Sequence, residues 1–268
     1  MARLTIFHTA DIHNKLTSSL VSHLQALKEN NPDCLMLDSG DAIWAGNLIW
    51  RPRGESVFDL MNSVPYDAMC MGNREFHFRT IGLRAKVFRS QFPILSANLR
   101  KAQEALPDLP DLLKNTSVTR PSTACENQDE IINGVAKFNV HNVSVIVFGL
   151  TVPCITEQML VKRISNYYFE QPINAALEIV PKLRLRCDFL VALTHIGIKA
   201  DRELASTVRG IDLILGGHTH IVTSEPEWVS GTCILHHGCH ANHVGRVDID
   251  WEPGKFSVKN ELIPLAKA

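Results

Sequence analysis

Ile211-Asp212-Leu213-Ile214-Leu215-Gly216-Gly217-His218-Thr219-His220 decides how this chain is read. Its apolar run reads as a buried strand. Two glycines stop the run and allow a tight turn with close backbone approach. Two histidines follow with one residue between them. In an extended or turning backbone their rings need not share one target and can serve two neighbouring ions. Imidazole is the commonest protein metal ligand, suited to zinc, iron, copper and nickel. A His-x-His standing alone reads more simply as a solvated loop. Four other strand ends in this chain carry ligand-type residues, and they reverse that reading.

The first is at the N-terminus. Leu4-Thr5-Ile6-Phe7 reads as a short strand that delivers Asp11-Ile12-His13, a hard carboxylate and an imidazole within reach of one cation. A helix with Leu16, Leu20, Val21, Leu24 and Leu27 on one face follows and closes at Asn30-Asn31-Pro32. The next strand, Cys34-Leu35-Met36-Leu37, ends in Asp38-Ser39-Gly40-Asp41. Asp38 reads as a turn acid. Asp41, beyond the sharp turn at Gly40, reads as a ligand, because a carboxylate can join two cations. A helix over Glu55 to Val64 leads to the strand Asp67 to Met71 and then to Gly72-Asn73-Arg74-Glu75-Phe76-His77, where the Asn73 amide oxygen is a candidate. A helix over Ile81 to Ser90 and a strand over Phe92 to Asn98 come next. Residues 100–130 hold Pro107, Pro110 and Pro121 and little periodicity. They read as an irregular excursion, a flap or a passive surface loop, with one short helix at Leu109 to Lys114.

Ile131 to Val140 and Val143 to Leu150 read as paired strands about His141-Asn142. A helix from Ile173 to Leu185 carries Ala176, Leu177, Val180 and Leu183 on one side. The buried strand Phe189 to Leu193 ends in Thr194-His195-Ile196-Gly197, and a short helix over Asp201 to Val208 leads back to the opening stretch. Hairpin-like segments finish the chain. Strand–helix repeats, a strand pair, more repeats and then hairpins imply two mixed sheets packed together with helices outside. No internal repeat or linker divides residues 1–268, which read as a single domain.

Composition bounds the rest. The chain has 268 residues, 45% hydrophobic and 21% charged, with a formal net charge of −1. That balance implies no broad attraction to nucleic acid or anionic membrane. No apolar run approaches spanning length, and because Leu4 to Phe7 already reads as a strand, no secretory segment is expected. The seven cysteines fit no disulfide framework or zinc knuckle. Cys34, Cys70, Cys187 and Cys233 read as buried reduced thiols, and the expected compartment is the cytoplasm. Asp11, His13, Asp41, Asn73, His195, His218 and His220 thus stand at five strand ends, where sites gather in open α/β sheets. Seven oxygen and nitrogen donors are too many for one tetrahedral zinc. They suit two divalent ions of the manganese, zinc or iron kind sharing a carboxylate.

The spaced motifs resemble the calcineurin-like metallophosphoesterases, and within them the catalytic domain of the 5′-nucleotidase and 2′,3′-cyclic phosphodiesterase branch. Phe7-His8-Thr9-Ala10-Asp11-Ile12-His13 resembles that branch's Leu-His-Thr-Asn-Asp-Ile-His. Gly40-Asp41, Gly72-Asn73, Leu95-Ser96-Ala97-Asn98, Thr194-His195-Ile196-Gly197 and Gly216-Gly217-His218-Thr219-His220 follow in order. The resemblance implies an α/β fold, a four-layer αββα sandwich of two mixed sheets flanked by helices. It also implies a dinuclear centre. One metal would take Asp11, His13 and His220, the other Asn73, His195 and His218, with Asp41 bridging. Two such ions about 3.5–4 Å apart hold a bridging hydroxide and grip phosphoryl oxygens. The implied activity is hydrolysis of a small phosphorylated substrate, monoester or diester, nucleotides among the candidates.

Two departures qualify that reading. The family's Gly-Asn-His-Glu-Phe-Asp is here Gly72-Asn73-Arg74-Glu75-Phe76-His77. Arg74 cannot usefully donate a proton but can bind phosphate oxygens bidentately. We therefore expect Arg74 to clamp the phosphoryl group and His77 to serve as the acid; the competing reading has Arg74 facing solvent or paired with Glu75. The second departure is that the chain ends soon after Leu265, so no C-terminal nucleoside-binding domain is expected. His236, His237, His240 and His243 lie on a loop that the family places near the metals, where they could read the substrate. A regulatory metal-binding module with little catalysis stays open as the alternative, motivated by Arg74. The neutral charge argues against a nuclease.

Overall fold

The computed structural model of the protein describes residues 2–102 and 131–265. The helix expected at Leu109 to Lys114 lies outside the described residues. Two six-stranded mixed sheets pack face to face. The first holds β1 (Ala2–Thr9), β2 (Leu35–Asp38), β3 (Ala68–Cys70), β4 (Ile94–Leu95), β13 (His243–Glu252) and β14 (Lys255–Pro264), in the order β14-β13-β1-β2-β3-β4. The second holds β6 (Val135–Val140), β7 (Val143–Thr151), β9 (Phe189–His195), β10 (Leu213–Gly216), β11 (Glu227–Val229) and β12 (Thr232–His236), in the order β11-β12-β10-β9-β7-β6. A small pair, β5 (Leu99–Lys101) and β8 (Tyr167–Phe169), lies apart. Helices α1 (Ser18–Glu29), α2 (Val57–Ser63) and α3 (Thr80–Val87) follow strands of the first sheet, and α4 (Pro172–Arg184) and α5 (Ile198–Thr207) flank β9 of the second.

Alternation along the strands builds the layers, because successive side chains of a strand point to opposite faces. Leu4 and Ile6, Leu35 and Leu37, Val191 and Leu193, Leu213 and Leu215 fill one core between the sheets. Their neighbours turn outward: Phe7, Met36 and Met69 join Leu20, Leu24, Phe58 and Leu83 in a second core under α1–α3. Ile146, Phe148, Leu190 and Ile214 join Ala176, Ile179, Val180 and Leu204 in a third under α4 and α5. Helix–sheet–sheet–helix layering follows directly. Burying a leucine such as Leu24 contributes roughly 1.5–3 kcal/mol, so three such cores outweigh any local propensity.

Several expected bounds shift, each for a local reason. The strand expected over Phe92 to Asn98 pairs only at Ile94–Leu95, because Ser96 and Ala97 donate instead to the Asn133 and Gly149 carbonyls at 2.7 Å each. The helix expected from Asp201 begins at Ile198, directly after Gly197 turns at φ +85°. Leu177, expected on the buried side of α4, is 48% exposed; Ala175, Ala176, Ile179, Val180 and Leu183 form the buried stripe. Cys34, Cys70 and Cys233 are buried and Cys187 half-buried, all as free thiols. No helix among the described residues is long and apolar enough to cross a membrane.

Toward the carboxyl ends of the strands the inter-sheet layer turns polar. The alternation that points Leu4 and Ile6 inward points His8 inward as well, and after Leu37 comes Ser39. His8 Nε2 lies 2.7 Å from Ser39 Oγ, and Ser39 donates to the Leu215 carbonyl across the sheets at 2.8 Å. His8 Nδ1 lies 2.7 Å from His237 Nδ1, and His237 Nε2 lies 3.0 Å from Asn260 Oδ1. Burial, reinforced by the neighbouring histidines, pushes His8 well below the ordinary imidazole range and His237 down to about 4. A histidine whose folded pKa is depressed binds fewer protons folded than unfolded below pH 6.5. Stability is therefore fully present above pH 6.5 and lost as the pH falls toward 4, by about 1 kcal/mol per pH unit per histidine. Glu75, which burial raises to about 7, titrates with the opposite sign, so the histidine contribution is read as a difference: the stability of the wild type minus that of His237→Gln, from denaturant unfolding, is expected to fall between pH 7.5 and 5.

Candidate metal centre

Parallel strands β1, β2 and β3 of one sheet and β9 and β10 of the other end at the same edge of the sandwich. There the five predicted strand ends meet. His13 Nε2 lies 3.2 Å from His220 Nε2, and Asp11 Oδ1 lies 3.4 Å from His220 Nε2 and 3.8 Å from His13 Nε2. On the other side, His195 Nε2 lies 3.2 Å from the Asn73 amide oxygen and 3.5 Å from Asp41 Oδ1. The His218 ring meets that of His195 edge to face at 5.0 Å. Donor atoms of Asp11, His13 and His220 lie within 4.8 Å of one another, as do those of Asp11, Asp41 and His195. Seven side chains thus form two adjoining groups.

The backbone that aims them is unusual. Asp11 (φ +51°), His13 (+49°), Asp41 (+56°), His218 (+75°) and His220 (+56°) all occupy the left-handed region. Non-glycine residues visit it rarely, at a cost of about 1–2 kcal/mol each, and such strain gathers at functional sites. The turn between β2 and Asp41 needs Gly40 at φ +94°, where a Cβ would stand 2.5 Å from Gly72 N. A Cβ on Gly72 would meet Asp41 N and Oδ1 at 2.3 Å. These glycines let the two loops close on each other. Asp38 is the turn acid that its position suggests: it accepts Gly40 N–H at 2.8 Å and the Thr9 hydroxyl at 2.6 Å.

A second ring of groups orients the first. His195 Nδ1 lies 2.8 Å from the Ser39 carbonyl; donating there leaves the Nε2 lone pair facing Asp41 and Asn73. Glu75 is fully buried and accepts from Asp41 N and Gly72 N at 2.9 Å each and from Ile43 N at 3.2 Å. Lys86, also fully buried, donates to the Arg74, Phe76 and Gly46 carbonyls and so fixes the same turn. Burial, and then the charge of Asp41, raises Glu75 to about 7. Burial lowers His195, but Asp41 and Asp11 outweigh it and hold the imidazole at about 9, so the Nε2 lone pair becomes available to a cation by displacement of its proton. Asp41 is lowered, because His195 overcomes its burial, while burial keeps Asp11 raised.

Arg74 sits at this cluster, neither free in solvent nor paired with Glu75. Its backbone N–H donates to Asp41 Oδ1 at 2.8 Å, and its Nε lies 3.4 Å from Asp41 Oδ2. The guanidinium lies over the Trp44 ring at 5.0 Å and donates to the Trp44 carbonyl at 2.7 Å. His77 is not brought to the cluster. Its ring is buried, stacks on Phe78 at 4.8 Å, and accepts the Arg79 N–H at Nδ1 at 3.0 Å. The ring is thus engaged with its own chain neighbours Phe78 and Arg79. Of the four histidines expected on one loop, His236 ends β12 and His243 begins β13, while His240 approaches the cluster, its ring 5.4 Å from His13 and 5.5 Å from His220. His236 is held by Asp201 at 2.7 Å and His237 by His8. Trp44, Glu75, Lys86 and the Ser39 carbonyl are contributors that carry no ligand signature, so spacing alone does not single them out.

A family model described as calcineurin-like phosphoesterase matches residues 4–222. The chain belongs to the calcineurin-like phosphoesterases. It is 30% identical over 272 residues to the trifunctional nucleotide phosphoesterase YfkN of Bacillus subtilis, covering 93% of this chain and 18% of that protein. It is 29% identical over 246 residues to human 5′-nucleotidase, covering 83% and 39% respectively. This chain therefore matches less than half the length of these relatives. The same sandwich occurs in the crystal structure of a 5′-nucleotidase precursor from Thermus thermophilus, with a TM-score of 0.75, 22% identity, and coverage of 98% of this chain and 55% of that one. For this phosphoesterase, we expect His77→Ala to lower the melting temperature by several degrees. Its pH–rate profile is expected to keep its shape, and loss of the acidic or basic limb would return His77 to the chemistry.

Proposed function

We propose that this calcineurin-like phosphoesterase hydrolyses small phosphorylated molecules, nucleotides among them, with a pair of divalent cations, and that residues 1–268 form one catalytic domain. One observation carries the reading: two buried carboxylates, Asp11 and Asp41, lie among imidazole and amide donors, and Asp11 Oδ1 is buried with no hydrogen-bond partner. A buried anionic oxygen without a partner is costly, and a cation is the partner that this donor set fits. Oxygen and nitrogen donors without sulfur suit manganese, zinc or iron. Asp11, His13 and His220 would hold one ion, and Asn73, His195 and His218 the other, with Asp41 between them. Such a pair supplies an activated water and charge stabilisation for displacement at phosphorus.

The chain's own groups do the remaining work. Ser39, through its carbonyl, keeps the His195 lone pair aimed inward. Glu75 holds the backbone of Asp41 in register. Arg74, on the open side of Asp41, has a fork able to receive two phosphoryl oxygens and to balance charge that develops there. Trp44, 57% exposed, gives the guanidinium a flat support. The relatives' names, nucleotide phosphoesterase and 5′-nucleotidase, favour a nucleotide as the phosphorylated substrate.

A second reading rests on the same arginine. Its guanidinium already lies against the carboxylate that two ions would share, which suits a module that binds metal and turns over little. Hydrolysis of an aryl phosphate monoester and diester with Mn²⁺ separates the two. Turnover in the wild type with a loss of about 10²–10³-fold in Asp41→Asn is expected, the worth of several kcal/mol of transition-state stabilisation. Bound metal without turnover of either ester would favour the module. Arg74→Ala is expected to lower kcat/KM about 10²-fold. A rate that rises in Arg74→Ala would mean that the guanidinium obstructs the pair.

A further inference from the structure

Cys239 and His240 have no part in the proposed pair, yet the fold sets them against one of its members. The backbone after β12 runs antiparallel to residues 221–222, with Val222 bridged to His237 and Gly238 N–H donating to the Ile221 carbonyl at 2.9 Å. His240 N–H donates to the Asp11 carbonyl at 2.8 Å. His240 is left-handed at φ +60°, as His220 is at +56°. Donor atoms of His220, Cys239 and His240 consequently lie within 4.8 Å of one another. A tetrahedral zinc with one sulfur and two nitrogens needs separations of about 3.3–3.6 Å, so side-chain rotation alone can close the gap. His220 is exposed and the other two half-exposed, so an ion can reach them from solution.

We propose that His220, Cys239 and His240 form a further metal site for a thiophilic divalent cation such as zinc, sharing His220 with the proposed pair. The donor chemistry separates the two places. The pair is built from oxygen and nitrogen alone, whereas a thiolate selects a softer ion. On binding, the Cys239 Sγ–H bond breaks, its proton leaves to solvent, and the sulfur pair forms the bond to the metal. Three protein donors leave a fourth position open. His220 Nε2 faces Asp11 and His13 at 3.4 and 3.2 Å. An ion on Cys239 and His240 therefore draws on an imidazole that the first catalytic ion also needs, and a soft ion bound here inhibits the enzyme.

Cd²⁺ titrated into the metal-stripped chain tests the site, because a bound thiolate gives a ligand-to-metal absorption band in the ultraviolet. The band is expected in the wild type and in Asp41→Asn, absent in Cys239→Ser, and at least about tenfold weaker in affinity in His240→Asn. No band in the wild type, or the same band in Cys239→Ser, would overturn the site. The coupling has its own readout: the Cd²⁺ concentration that half-inhibits the Mn²⁺-loaded enzyme is expected to rise at least tenfold in Cys239→Ser, and an unchanged midpoint would overturn it. The proposed pair contains no sulfur, so its failure would show in the Asp41→Asn rate and leave the Cd²⁺–thiolate band untouched.

Discussion

Asp11 ties four strand ends together. Its N–H donates to the Gly40 carbonyl after β2, and its carbonyl accepts from His240 N–H after β12. Its carboxylate accepts from His218 N–H after β10, while Asp11 itself extends β1. One residue thus connects both sheets through its backbone and one oxygen. The second oxygen stays buried without a hydrogen-bond partner, between His13 and His220. The remainder of the site is hung on these bonds. A change at Asp11 would release loops from both sheets as well as remove a ligand candidate.

The strained backbone explains why so much packing stands behind so small a region. Five of the seven converging residues, and His240 beside them, lie in the left-handed region. Such conformations persist only where the surroundings over-determine them. Here Gly40 against Gly72, the buried Glu75 carboxylate and the buried Lys86 ammonium do so, each satisfying or excluding backbone groups within the two loops. Burial lowers the Lys86 pKa to about 8, opposed by Glu75 and Glu55, because the fold desolvates the charge that pins the Arg74 turn. Beneath it, the inter-sheet core changes from leucine and valine to His8, Ser39 and His237. The cost of burying those groups is offset by hydrogen bonds that span both sheets.

Much of this was legible in the residues. Short continuous apolar runs mark the central strands as buried on both faces, and the ligand-type residues follow those runs at short distances. Asp11, His13, Asp41, Asn73, His195, His218 and His220 could be singled out because parallel strands of a layered sheet bring their carboxyl ends to one edge. Asp38 could be set aside as a turn acid because it precedes Ser39-Gly40. Short spacing after a strand constrains position strongly, and apolar periodicity constrains direction.

What the residues could not show depends on contacts between segments far apart in the chain. His77 lies four residues from Asn73, and nothing in its spacing says that its ring turns to Phe78 and the Arg79 amide. Arg74 could equally have faced water; the loop carrying Trp44 gives it an aromatic face and a carbonyl. Cys239 and His240 have no ligand spacing of their own, and they meet His220 only because residues 237–238 pair against 221–222. Local residue patterns set the layers and the order in which donors reach the strand ends, because apolar runs and turns are properties of short segments. Tertiary structure alone decided which polar side chains look into the cleft and which are spent holding it, because that choice is made by packing between loops that the sequence keeps distant.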